Sequence, residues 1–150
     1  MIAVIQRVSE VQVVVNSEVV GQIGVGFMVL LGITHEDTSE DVQWLAQKIV
    51  ALRVFSDTEG KMNENLTSVD GNILLISQFT LHALTKKGNR PSFIEAARPE
   101  VAIPLYEAMI KALQELTQKE IQTGIFGADM KVSLTNDGPV TLVIDSKNKK

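Results

Sequence analysis

Apolar residues fall on the odd positions of Val11-Gln12-Val13-Val14-Val15, and the apolar pattern resumes at Val19-Val20 after Asn16-Ser17. That period of two, interrupted by turn-forming residues, predicts β-structure in the first third of the chain. Gly24-Val25-Gly26 marks another turn, and the unbroken apolar run Phe27 to Ile33 reads as a strand buried on both faces. The period then lengthens. Thr38 and Asp41 stand at capping-box spacing, and Val42, Leu45, Ala46, Ile49 and Leu52 recur on one face of a helix. Trp44, beside that stripe, reads as a packing residue rather than a stacking platform. Ser56 to Gly60 is a loop and Ile73 to Ile76 a second buried strand. A second helix is predicted from about Val101 to Thr117, with Leu105, Met109, Ala112, Leu113 and Leu116 buried and Pro104 placed in its first turn. Strands from Met130 to Leu134 and Val140 to Ile144 flank a turn at Asn136-Asp137-Gly138-Pro139. The polar, basic segment Ser146 to Lys150 is expected to fray.

Strands dominate, the two long helices are well separated, and no repeat or linker interrupts them. The prediction is a single α/β domain over residues 1–145 with a short tail, 146–150, and with both helices on one face of layered sheet. Two helices cannot cover both faces of so much strand. The remaining apolar face needs a second sheet layer or a partner subunit.

Composition narrows the chemistry. The 150 residues contain no cysteine, which removes thiol nucleophiles, disulfides and thiolate metal sites together. The first residues lack a basic segment followed by a sustained apolar one, so no signal peptide is read. The apolar run Val25 to Ile33 is too short to cross a bilayer and is broken by Gly26 and Gly32. A cytoplasmic protein is expected. A net charge of −4 and a pI of about 5.2 argue against a protein that grips long stretches of phosphate, so any RNA contact must be local.

Candidate chemistry concentrates in a few segments. In Ile76-Ser77-Gln78-Phe79-Thr80-Leu81-His82 an apolar strand turns polar at its C-terminal end, where open α/β sheets place ligand crevices. Read as a continuing strand, it puts Gln78, Thr80 and His82 on one face. Thr80 and His82 could mimic a nucleophile and base, but no third group orients the histidine. Asp137-Gly138 signals a hairpin. Pro139 after it removes a donor and admits a cis bond, which would aim neighbouring carbonyls the same way. Lys86-Lys87-Gly88-Asn89-Arg90 is a compact basic cluster, either a solvated loop or a short phosphate contact. Arg7 shares a strand face with Ile5 and Val11, where an apolar side chain is expected; its rigid donors suit it to holding a loop. His35, Glu36 and Asp37 read as a loop before the first helix rather than as a metal site, and Gly21 to Gly26 has the wrong glycine spacing for a dinucleotide fingerprint.

Taken together, Gln6-Arg7-Val8, Ser77-Gln78-Phe79-Thr80-Leu81, Lys87-Gly88-Asn89-Arg90-Pro91-Ser92-Phe93 and Asn136-Asp137-Gly138-Pro139-Val140-Thr141 resemble the D-aminoacyl-tRNA deacylases. The resemblance spans almost the whole chain, the tail after Ile144 excepted. It implies a homodimer with a three-layer β/β/α fold, each active site being completed by the Gly-cisPro element of the other subunit. On this sequence Ser77, Gln78, Phe79 and Thr80 would line the pocket, Gly138 and Pro139 would reach in from the partner, and Arg7 would tether them. Met130 matches a position near the terminal adenosine, and Lys87 and Arg90 would contact the tRNA end. No cofactor or metal is implied. His82 stands where the family varies.

The implied reaction frees tRNA from a D-amino acid, and from glycine mischarged on tRNA(Ala), using main-chain groups and the RNA 2′-hydroxyl. Two other readings remain open from the residues alone. One is a non-enzymatic module that binds an RNA end; the other is a small esterase using Thr80 and His82.

Overall fold

A strand that changes sides halfway along its length organises the molecule. The computed structural model describes residues 1–150. Its elements are β1 (Ile2–Val15), β2 (Glu18–Ile23), β3 (Gly26–Gly32), α1 (Ser39–Ala51), β4 (Phe55–Ser56), β5 (Met62–Glu64), β6 (Asn72–Ser77), a 3₁₀ helix (Phe79–His82), α2 (Pro99–Thr117), β7 (Gln122–Thr123) and β8 (Lys131–Asp145). The main sheet runs β2-β1-β3-β6-β7, and β8 lies along β1. The first half of β1 pairs antiparallel with β3 and its second half with β2, while β8 follows it from Ile2 to Val14. β6 is parallel to β3, and β7 to β6. Gly21 of β2 approaches the Thr123 carbonyl too closely for a Cβ, so the two ends of the sheet nearly meet in a barrel.

Two cores follow. Ala3 and Ile5 of β1, Phe27, Val29 and Leu31 of β3, and Ile73 and Leu75 of β6 pack beneath the helices, against Leu45 and Ile49 of α1 and Met109 and Leu113 of α2. Val8, Val11 and Val13 face the other way, onto Met28, Leu74 and Ile76 inside the curled sheet. This is the expected arrangement of a helix layer and two sheet layers, with both helices on one face. Val11 therefore does not share a face with Ile5 and Arg7. The register shift between Val8 and Glu10 leaves one extra residue of β1, Ser9, opposite the single step from Asn136 to Thr135, and this turns the rest of the strand by half its period.

Local signals hold well. Asn16 and Ser17 both take positive φ at the β1–β2 turn, as a tight hairpin demands. Thr38 and Asp41 form the capping box of α1. Helix α2 differs in detail. It begins at Pro99, so Pro104 lies inside it and not in the first turn. Glu100 and Pro104 are both exposed, where water can take the freed carbonyl. The buried face of α2 uses Ala102 and Tyr106 as well as Met109, Ala112 and Leu113, while Leu116 is exposed.

The tail does not fray. The Ser146 N–H donates to the Met1 carbonyl at 2.9 Å, its hydroxyl donates to Asp41 at 2.7 Å, and Lys147 Nζ reaches Asp41 at 2.8 Å. Asp37, in the loop before α1, is buried against the Met1 ammonium at 2.6 Å. A docked chain end gains these partners at little entropic cost because β8 delivers it directly to α1.

Candidate functional site

The polar end of β6 opens the site. Ser77 is its last residue, paired with Leu31 of β3, and the Gln78 N–H donates to the Leu31 carbonyl at 2.8 Å. The chain then leaves the sheet. Phe79 to His82 form a 3₁₀ turn in place of the expected extension of the strand, closed by Leu81 N–H to Gln78 O at 3.3 Å and Ala83 N–H to Thr80 O at 3.1 Å. The Phe79 and Thr80 N–H groups stand at the open start of that turn, ahead of its first bond, Leu81 N–H to Gln78 O.

With about three residues per turn, residues two apart no longer share a face. Thr80 is exposed and accepts a hydrogen bond from the Gln78 side chain, whereas His82 is buried and its Nε2 has no partner. Gln78, Thr80 and His82 therefore do not line up, and no Thr80–His82 pair exists.

Ser77, Gln78 and Phe79 border a cavity of about 280 Å³ together with Met130. Its apolar wall is completed by Ala97, Ala102 and Phe126. These three were not legible as site residues. The signal that could have found Phe126 is its setting, Gly124-Ile125-Phe126-Gly127, an aromatic between two glycines. Tyr106 supports this wall from behind. Its ring lies 5.8 Å from that of Phe126, and its hydroxyl donates to the Leu75 carbonyl at 3.0 Å, two residues before Ser77. Burial pushes the Tyr106 hydroxyl up to about 12, so it remains a donor at any working pH. Gly124 leaves the space that the Met130 sulfur occupies.

Phe79 is 56% exposed, and its ring meets Phe93 edge to face at 5.1 Å. Through Phe93 the basic loop is joined to the mouth of the crevice, since Leu84 and Ser92 close its base with reciprocal bonds of 2.8 and 3.0 Å. Lys87 and Arg90 lie on the exposed loop above that base and do not line the crevice.

Arg7 organises a second cluster. The expected hairpin at Asn136 to Pro139 is not one, because β8 continues along β1 on both sides of it. Asn136 pairs with Val8 and Thr141 with Gln6, so the four intervening residues bulge out opposite Arg7 alone. The guanidinium fills the gap: Nε donates to the Asp137 carbonyl at 2.8 Å and Nη1 to the Val54 carbonyl at 2.6 Å. Asn136 latches the mouth of the bulge, accepting from the Val140 N–H at 3.1 Å and donating to the Thr141 hydroxyl at 3.0 Å. At the tip the Gly138–Pro139 bond is cis, Gly138 has φ of 142°, and both residues are exposed. Neither borders the crevice of its own chain.

Residues 4–145 match the family model described as D-Tyr-tRNA(Tyr) deacylase. A D-aminoacyl-tRNA deacylase of Cytophaga hutchinsonii is 60% identical over 149 residues, 99% of each chain. One of Thermus aquaticus is 58% identical, covering 99% of this chain and 97% of the relative. Among solved structures, the c-Myc DNA unwinding element binding protein superposes with a TM-score of 0.90 at 40% identity, covering 97% of this chain and 98% of its own. A chain described as a probable eukaryotic D-amino acid tRNA deacylase shares the fold, with a TM-score of 0.82 at 16% identity over 95% of this chain and 97% of its own.

Proposed function

This chain belongs to the D-Tyr-tRNA(Tyr) deacylase family, and from that premise we propose how its crevice carries out the reaction. The protein is a hydrolase of D-aminoacyl-tRNA. The terminal adenosine enters between Met130, Phe126 and Ala102, which leaves the ester carbonyl beside Phe79; Thr80 does not border the crevice and follows Phe79 on the exposed turn. Water adds to that carbonyl, the ester bond to the ribose oxygen breaks, and the proton passes to the departing ribose. The observation that carries this reading is the open start of the 3₁₀ turn, where the N–H groups of Phe79 and Thr80 precede its first bond and Phe79 borders an apolar crevice. Such donors stabilise the developing oxyanion, the vicinal 2′-hydroxyl assists the attacking water, and Ser77, Gln78 and Thr80 position the ester. An aminoacyl ester is already activated, so no side-chain nucleophile is needed. Thr80 and His82 do not meet, which disfavours the esterase reading.

Chirality is imposed in a homodimer in which Gly138 and Pro139 of the partner subunit close the crevice against one face of the substrate Cα. A wall of main chain and pyrrolidine ring there admits hydrogen and rejects a side chain. L-residues clash, D-residues fit, and glycine, including glycine mischarged on tRNA(Ala), is admitted. Arg7 tethers this wall, and Lys87 and Arg90 contact phosphates near the tRNA end. The reaction belongs in the cytoplasm, where aminoacyl-tRNA is made.

The test is hydrolysis of matched D- and L-aminoacyl-tRNA by the purified protein. Cleavage of the D form with the L form spared is expected. A D-substrate lacking the terminal 2′-hydroxyl should lose more turnover than Thr80→Ala does. Equal rates on the two enantiomers would overturn the assignment, and binding without turnover would leave an RNA-end-binding module.

A further inference from the structure

Trp44 of α1 and the docked tail make a basic shelf in an otherwise acidic molecule. A cavity of about 470 Å³ is lined by Trp44, Lys48, Lys149 and Lys150 together with Leu142 and Ile144 of β8, and Asp145 is the one acidic side chain against three lysines. The Lys149 ammonium sits over the Trp44 ring at 4.5 Å and that of Lys48 at 5.8 Å. Neither ammonium, nor that of Lys150, has a carboxylate within ion-pair distance, whereas Lys147 is held by Asp41 at 2.8 Å. Three unpaired cations lie together in a chain whose net charge is −4. Self-repulsion should scatter them; the aromatic face and the docked tail hold them in place instead.

The shelf is also placed in relation to the reaction. Leu142 is three residues beyond Pro139 on the same strand, about 10 Å at the rise of a β-strand. We propose that Lys48 and Lys149, held by Trp44, together with Lys150 beside them bind backbone phosphates of the tRNA acceptor stem. This rests on the deacylase reading and on the supply of Gly138 and Pro139 across the dimer. A tRNA whose 3′ end enters one subunit's crevice then lies with its stem on the shelf of the subunit that closes it. Two or three local contacts of this kind reconcile an acidic protein with an RNA substrate.

The test compares the wild type, Lys48→Ala/Lys149→Ala and Lys48→Arg/Lys149→Arg on D-aminoacyl-tRNA across a range of salt concentrations. The double alanine variant should raise KM severalfold at low salt with kcat retained. Because each phosphate contact contributes roughly 0.7–0.9 to the logarithmic salt dependence, that slope should flatten by about 1.4–1.8. The arginine variant should restore both. Wild-type preference for full-length D-aminoacyl-tRNA over a D-aminoacylated CCA trinucleotide should shrink in the alanine variant. A KM and salt slope unchanged by the double alanine substitution overturn the shelf and leave the deacylase reading intact. If the wild type cleaves neither substrate, the deacylase reading fails. The shelf is then judged on uncharged tRNA, where an unchanged salt slope of binding overturns it.

Discussion

Gly32 shows how tightly the 3₁₀ turn is seated. A Cβ there would fall 2.9 Å from Leu81 Cβ and 3.1 Å from the Gln78 carbonyl and from His82 Cδ2. None of these is the free end of a flexible chain, so Gly32→Ala must displace the turn that carries Phe79. Overpacking of this kind costs about 1–3 kcal/mol. The expected result is a protein that still folds, with a lower thermal midpoint and at least a tenfold loss of D-aminoacyl-tRNA turnover, about 1.4 kcal/mol in barrier. Turnover at the wild-type rate would show that the N–H groups of the turn need no such placement. Arg7 is a second pivotal residue. A lysine has one ammonium where Arg7 spreads donors between the Asp137 and Val54 carbonyls, which lie on different elements. Arg7→Lys should strand one of those carbonyls, at a cost of about 1–3 kcal/mol. Urea unfolding should show the loss, and turnover should fall with it if the bulge closes the active site.

The N-terminal turn of α1 and the tail form one electrostatic unit. Burial raises the pKa of Asp41, but hydrogen bonds from Lys147, Ser146 and the Thr38 N–H outweigh it and hold the carboxyl well below the usual carboxylate range. The hydrogen bond to Asp41 raises Lys147 above its ordinary value, though this side chain is exposed and screened. The signs define a window. A depressed carboxyl stabilises the fold above its unfolded value, about 3.9, and the benefit is lost as pH falls toward the folded one. A raised ammonium stabilises below its unfolded value, about 10.4, and that benefit is lost above it. Asp41→Asn should therefore lower stability near pH 7 by about 1–2 kcal/mol, from the weakened cap and charged hydrogen bonds. The difference from wild type should narrow as pH drops below 4, a trend that urea unfolding at several pH values would reveal. A difference independent of pH would assign the effect to packing alone.

Across the whole molecule, the crevice and the Gly138–Pro139 tip of one chain occupy separate places. A site built in trans makes a prediction that no site within one chain can share. Phe79→Ala removes part of the crevice mouth. Gly138→Ala forces a side chain at φ of 142° and sets its Cβ 2.8 Å from Val140 Cγ2 and 3.1 Å from Arg7 Nη2. Each variant alone should be poorly active. In the proposed dimer, refolding the two together in equal amounts would make half the dimers mixed, each with one intact site, and should restore about a quarter of wild-type turnover. No gain on mixing would place the tip outside the partner's active site.

What is local in the chain was legible without coordinates. The Asn16-Ser17 turn, the Thr38–Asp41 cap, the apolar stripe of α1 and the polar end of β6 each depend on residues within a few positions of one another, where backbone stereochemistry and period suffice. The segments Ser77 to Leu81 and Asn136 to Thr141 also carried the family resemblance, which the relatives bear out at 60% identity. Tertiary structure decided the rest, because it depends on pairing across more than a hundred residues. Asp137-Gly138 has the chemistry of a hairpin, yet β8 stays on β1 because bonds on both sides of the bulge outweigh the local turn. Val11 changes face for the same reason: a register shift in one strand is set by its partner, not by its own alternation. Ser146 and Lys147 look like a frayed end until the fold sets Asp41 beside them. Phe126, Ala102 and Ala97 carry no polar signature, and only the packing of three distant segments around Ser77 makes them the wall of a site.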